Sequence, residues 1–463
     1  MRLWISARVR AARKAGGRGL TLLQGLIGFE IIRRANRRPT DRKEEDTQMM
    51  DRRRFTRLVA GSLAASRLSG RQADGASVKT VLYSAVGGDL TLYGMDVDEA
   101  LLVKRNTVSL PANIQYAWPH PSRQYLYVVS SGGGPGVPSN ENFAHAFRID
   151  SATGALTPHG QPQDLPSRPI HTSVDMKGEY LLTAYNDPSS LTVHHINRDG
   201  TLGDRVNQPN KLDTGKYAHQ IRATPDNEFV IMVTRGNNAP DDNPVNPGSI
   251  KTYRLKSGVL TNLAAIQPGD GMHFGPRHLD FHPAEPWVYV SIESQNKLYV
   301  YKRDPASGLF REPVFIKETL SDPKSPFRQG AGTVHVHPNG RFVYQANRAS
   351  STVDFQGKKV FAGGENSIAV FSIDPNTGEP ALIQNIEGHG IQLRTFAMDP
   401  SARMMVAASI QPLPVREGGS IKMLSAGLTV FRIGNDGKLA FIRKYDVDVG
   451  SKTQFWSGMV RLA

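Results

Sequence analysis

Six stretches of this chain share one layout, and that repetition constrains the fold more than any other feature. WPHPSRQYLYVVS (118–130), SVDMKGEYLLTAY (173–185), RATPDNEFVIMVT (222–234), FHPAEPWVYVSIE (281–293), HVHPNGRFVYQAN (335–347) and AMDPSARMMVAAS (397–409) each read as a strand, a Pro/Asp/Gly turn and a second apolar strand. Their turn anchors fall at 121, 176, 225, 283, 338 and 400, with spacings of 55, 49, 58, 55 and 62 residues. A seventh copy without the turn begins at TVLYSAV, residues 80–86. A third strand follows most copies (FAHAFRID, LTVHHINR, KLYVYKRD, IAVFSID, LTVFRIG). Turns such as SATGAL, RDGTL, PASGLF, PNTGEP and NDGKL then lead to a fourth.

Four short strands in a unit of this length cannot bury both faces alone, whereas stacked radially they form propeller blades. The sequence therefore predicts an all-β fold: a seven-bladed β-propeller over residues 77–463, four antiparallel strands per blade. The C-terminal KTQFWSGMVRL is expected to pair with the first blade, closing the ring and removing its free edges.

The net charge of +14 raises the question of a nucleic-acid partner. Its distribution argues against one. Residues 1–57 hold 16 Lys and Arg against 6 Asp and Glu, while the remaining 406 residues carry 40 against 36. No basic stripe with interleaved aromatics accompanies it. The excess belongs to a basic N-terminal extension, residues 1–76. Within it DRRRFTRLVAGSLAA (51–65) is similar to a twin-arginine export signal, with a short apolar run and a small-residue segment at Ala73–Ala76 for cleavage. Met49 and Met50 lie directly upstream as alternative start sites. The expected location is periplasmic, the alternative a cytoplasmic protein with a basic tail. The run Leu20–Ile32 contains Gln24 and Glu30 and is too short to span a bilayer, so no stable membrane insertion is expected. With no cysteine, disulfides, thiolate nucleophiles and Cys-based metal sites are excluded.

The repeat also serves as a ruler. In each blade the start of the first strand and the end of the second share one end. Six residues before the anchors stand Gln115, Ile170, His219, Arg277, Gly332 and Arg394; ten after stand Ser131, Asn186, Arg235, Glu293, Arg348 and Ile410. The ionisable groups gather in blades four to seven and are expected at one mouth of the central channel. Convergent charged groups in an apolar concavity mark a candidate site. Strand alternation sets His278 on the face away from Arg277. His120, His282 and His337 precede turn residues and read as turn histidines. His194 and His195 lie in an outer strand on alternate faces, which disfavours a metal pair. The histidines are scattered between blades, so neither a metal site nor a cofactor is expected.

The HPxGRFVYxAN blade motif, the GPRH string at 275–278 and the TGxL turns resemble the lactonase family of seven-bladed propellers, which includes propeller-type 6-phosphogluconolactonases and carboxymuconate-cyclising enzymes. The resemblance covers residues 77–463. It implies His219 in YAHQIR, Arg277 in GPRH, Glu293 in YVSIE and Arg348 in ANR as catalytic residues. Arg394, Arg235 and His278 are added as substrate-binding candidates. Where family lactonases often carry an Asp after the second strand of blade four, this chain has Arg235.

The expected activity is hydrolysis of a sugar-type or carboxylated lactone. The alternatives are the reverse, lactonising cycloisomerase direction and a non-catalytic binding propeller. Glu293 or His219 would activate water, Arg277 and Arg348 would bind anionic groups and steady developing charge, and His219 would return a proton to the leaving alkoxide. The partner is a small-molecule lactone and the expected state a monomer. The insertions 237–249 and 350–365 follow the second strands of blades four and six and should rim the same mouth.

Overall fold

The computed structural model describes residues 80–134, 137–237 and 246–463. The N-terminal extension with its export-signal expectation lies outside the described residues, as does most of the 237–249 loop.

Seven sheets surround an axis in chain order. Blades 2 to 7 begin on their innermost strand: Asn113–Pro119, Pro169–Val174, Ala218–Ala223, Pro276–Phe281, Gly330–Val336 and Leu393–Met398. Each then runs outward through antiparallel neighbours, as in blade 5 with Trp287–Ile292, Lys297–Lys302 and Phe315–Glu318. Blade 1 is made from both ends of the propeller. The C-terminal Gln454–Arg461 supplies its innermost strand and pairs with Thr80–Val86, followed by Asp89–Asp96 and Leu101–Ser109. TVLYSAV lacks the turn seen in the other copies because its hairpin partner comes from the far end of the chain. The ring closes as the sequence predicts.

The blades pack face to face through aliphatic and aromatic side chains. One apolar cluster runs from Val81 and Tyr83 in blade 1 through Tyr127 and Val129 in blade 2 to Leu181 in blade 3. Polar contacts set the blade-to-blade register. Buried tyrosine hydroxyls donate to glycine carbonyls in the outer turn of the next blade: Tyr83 to Gly154, Tyr127 to Gly200, Tyr289 to Gly378 and Tyr344 to Gly437, at 2.6–3.0 Å. The TGxL turns need that glycine twice over. Gly378, for example, has φ +78°, and a Cβ there would lie 2.3 Å from the Trp287 ring. The turn histidines perform a matching task at the inner turns. His120, His282 and His337 each place Nε2 within hydrogen-bond distance of a carbonyl in the next blade, Gly178, Gly340 and Ala402 respectively. His194 is buried and His195 exposed, as alternation requires.

Candidate functional site

The ruler position has a structural meaning. In every blade the innermost strand carries a β-bulge against its neighbour; the extra residue is Phe455, Gln115, Ile170, His219 and Arg277 in blades 1 to 5 and Arg394 in blade 7, and in blade 6 the register steps across Gly332 and Thr333. A bulge adds one residue to one strand and re-aims its side chain. Seven bulges at one level give the channel mouth a ring of positions whose side chains are freed from the ladder. Blade 6 contributes glycine, and this makes room: a Cβ on Gly332 would sit 3.2 Å from Arg348 Cδ, and one on Gly330 3.2 Å from Glu293 Cγ. Arg348, from the second strand of the same blade, occupies the vacated space.

The arc formed by blades 4, 5 and 6 brings together His219, Arg235, Arg277, Glu293 and Arg348. The Glu293 carboxylate accepts from Arg277 Nη1 at 2.9 Å, from Arg348 Nη2 at 2.5 Å and from Arg235 Nη1 at 3.4 Å. Burial alone would raise its pKa, but the guanidiniums of Arg277, Arg348 and Arg235 overcome this and hold it well below the usual carboxylate range. Burial, then the charge of Arg348, pushes Arg277 down to about 9, so it remains cationic at neutral pH. Arg235, the departure from the family pattern, adds a third cation to a single carboxylate.

His219 is buried, and burial followed by the Arg277 charge holds its pKa well below the ordinary histidine value. The resting imidazole is therefore neutral at pH 7. His219 can accept a proton first and return it later. Its Nδ1 has no hydrogen-bond partner among the described residues.

His278 also departs from expectation. The bulge at Arg277 interrupts the two-residue alternation, so His278 does not point away from the cluster. Its ring centroid lies 5.2 Å from that of His219 and 6.3 Å from that of His171 in blade 3. Burial and the adjacent Arg277 charge keep it neutral too.

Arg394 comes from blade 7, with Nε donating to the Phe455 carbonyl at 3.0 Å and its guanidinium 3.5 Å from the Phe455 ring centroid. Four further groups near the axis were not anticipated. Arg168 donates through Nε to Gln115 Oε1 at 2.9 Å and lies 5.8 Å from the Phe455 ring. His171 contacts Tyr116, centroids 4.1 Å apart. Arg222 pairs with Asp280 at 2.8 Å and lies 5.0 Å from the Trp118 ring across the channel. His171 was reachable by noting that it follows its bulge residue as His278 does, whereas Phe455 lies on the last strand, which has no turn anchor from which to count. Arg168 precedes its strand and has no repeat signal.

The 350–365 insertion forms the hairpin Thr352–Phe355 and Lys358–Phe361, and blade 7 adds a second, Leu413–Glu417 and Ser420–Leu424. The two touch, with Arg416 4.6 Å from the Phe355 ring and Gln356 Nε2 donating to the Gly419 carbonyl at 3.2 Å. Among the described residues no group of three or more His, Asp or Glu is placed to hold a metal ion, and no helix is long and apolar enough to cross a membrane.

The fold is a seven-bladed propeller whose blades 4 to 6 bring together a cation-rich polar cluster. The chain belongs to the lactonase family of seven-bladed β-propellers, whose family model matches residues 80–412. It is 29% identical over 333 residues to a 6-phosphogluconolactonase of Bacillus subtilis, covering 70% of this chain and 85% of that protein. It is 30% identical over 317 residues to one of Pectobacterium carotovorum, covering 65% and 87%. In fold it is similar to the periplasmic gluconolactonase of Pseudomonas aeruginosa, with a TM-score of 0.62 at 19% identity over 83% of this chain and 99% of that one.

Proposed function

We propose that this protein hydrolyses an anionic lactone, sugar-type or carboxylated, at the mouth lined by His219, Arg277, Glu293 and Arg348. The observation that carries the reading is the pairing of a neutral buried imidazole with a guanidinium cluster that one carboxylate cannot neutralise. Neutral His219 takes a proton from water as the oxygen adds to the lactone carbonyl. Arg277 and Arg348 stabilise the oxyanion of the tetrahedral intermediate. The imidazolium then gives its proton to the leaving ring oxygen, releasing the hydroxy acid. Glu293, so strongly paired, is a weak base; its work is to hold the arginines in place. Arg235 favours substrates with more negative charge, which keeps the lactonising reaction of a polycarboxylate as the second reading.

A pH-stat screen over phosphorylated, neutral sugar and muconate-type lactones tests the proposal. His219→Asn and Arg277→Ala should each lower kcat/KM by about two orders of magnitude or more. Activity that survives both substitutions would remove the proposed site. Export is proposed from the twin-arginine-like segment. N-terminal sequencing of the protein from a periplasmic fraction should find a start at about residue 76, at the Ala73–Ala76 segment, if the signal peptide is removed.

A further inference from the structure

The arginines of the mouth fall into two groups with different bonding. In the arc of blades 4 to 6, Arg235, Arg277 and Arg348 all direct terminal nitrogens to Glu293. Outside that arc, Arg168 and Arg394 are each fixed through Nε alone, to Gln115 Oε1 and to the Phe455 carbonyl. Among the described residues their terminal nitrogens make no hydrogen bond, and neither has a carboxylate within ion-pair distance. Both guanidiniums address the same aromatic ring, Arg394 at 3.5 Å and Arg168 at 5.8 Å. An aromatic face orients a guanidinium without cancelling its charge. Two like charges gathered on one ring at a channel mouth repel each other, and an anion between them reverses that cost.

We propose that Arg168 and Arg394, seated on Phe455, form a second anion subsite that takes the phosphate or carboxylate group of the substrate remote from its lactone carbonyl. This rests on the reading of the His219 arc as the place where the lactone opens. Phe455 and Arg394 belong to blades 1 and 7 and Arg168 leads into blade 3, while the Glu293 cluster comes from blades 4 to 6, blade 6 being joined to Arg394 by the Thr333 hydroxyl, which donates to the Arg394 carbonyl at 2.9 Å. A substrate with its carbonyl at Arg277 and an anionic tail at Arg168 and Arg394 spans the mouth. A neutral sugar lactone leaves the pair unfilled. The subsite therefore makes the enzyme selective for tailed over neutral lactones. All three of its residues, Arg168, Arg394 and Phe455, lie outside the four-residue set that the family resemblance implies.

Binding and turnover separate this proposal from the one it rests on. Inorganic phosphate and malonate are titrated calorimetrically into the full-length protein, Arg168→Gln, Arg394→Gln and Arg348→Gln, each checked for folding by circular dichroism. The subsite predicts that Arg168→Gln and Arg394→Gln each weaken binding of the preferred anion by about tenfold or more, with Arg394→Lys between them and wild type. The tighter of the two anions in wild type identifies the tail as phosphate or carboxylate. Kinetics on a lactone with and without that tail should show the preference ratio falling by about tenfold in both variants, chiefly through KM. Anion binding that is unchanged in Arg168→Gln and Arg394→Gln but lost in Arg348→Gln overturns the subsite and puts the anion at the Glu293 arc. Loss of anion binding in the pair variants, with no lactone turned over by wild type, supports the subsite and overturns the hydrolase reading instead.

Discussion

Replacing Glu293 by glutamine is the most informative single perturbation of this mouth. The change keeps the shape of the side chain and removes one negative charge. Arg277 and Arg348 keep only 4% and 8% of their side-chain surface exposed, so the cations left behind cannot recover full hydration. Removing one partner of a buried pair costs about 3–5 kcal/mol. Glu293 itself is 21% exposed and glutamine retains one accepting oxygen, which places the expected loss near the lower end, at about 3 kcal/mol. Urea unfolding followed by tryptophan fluorescence reads this directly, since Trp118, Trp287 and Trp456 lie in blades 2, 5 and 1. The lost carboxylate can be replaced from solution. A phosphate concentration a hundred times its dissociation constant restores about 2.7 kcal/mol. The stabilisation by phosphate should accordingly be larger in Glu293→Gln than in wild type, with potassium chloride at equal ionic strength as control. A variant within about 0.5 kcal/mol of wild type, unaffected by phosphate, would show that the three arginines are not held by this carboxylate.

Other consequences are equally measurable. Burial lowers His145 and His194 to about 4, so in the window from pH 6.5 down to 4 the unfolded chain binds protons that the folded one does not; stability falls by about 1.4 kcal/mol per histidine between pH 7.5 and 5.5, and a combined loss under about 1 kcal/mol in urea titrations would refute it. Tyr344→Phe removes the hydroxyl that donates to the Gly437 carbonyl at 2.9 Å and should cost about 1–2 kcal/mol by the same assay. Gly378→Ala, at φ +78° and against Trp287, should cost more, about 2–4 kcal/mol. Gly332→Val crowds Arg348 Cδ and should depress lactone turnover while leaving the propeller folded by circular dichroism; full activity would show that the space at the blade-6 bulge is dispensable.

Much of the fold was written in the repeat, because a propeller uses the same local solution seven times. HPNGRFVYQAN and its relatives carry turn chemistry, alternation and blade-locking residues at fixed offsets, so blade number and ring closure followed from spacing. The histidines before the turns looked inert in isolation, and their Nε2 atoms prove to join one blade to the next. The same regularity located most of the mouth. Counting six back from the turn reached His219, Arg277 and Arg394 without any knowledge that the position is a bulge, because the bulge itself recurs at a constant distance from the turn.

The readings that failed did so where regular strand geometry stops. Alternation assigned Arg277 and His278 to opposite faces, and it would have been right on an unbroken ladder. The register instead steps from Pro276 opposite Ile292 to His278 opposite Ser291, leaving Arg277 outside the pairing. That single step brings His278 beside His219 and frees the Arg277 guanidinium to reach Glu293. Phe455 escaped notice for a related reason, since the last strand completes its hairpin with Thr80–Val86 and has no turn from which to count. Arg168 lies before its strand begins, where no periodicity exists to read. Arg168 and Phe455, two of the three groups assigned to a second subsite, are thus the ones a repeat-based reading is least able to see, because specificity in this fold is added by departures from the blade pattern while the pattern itself supplies the recurring positions.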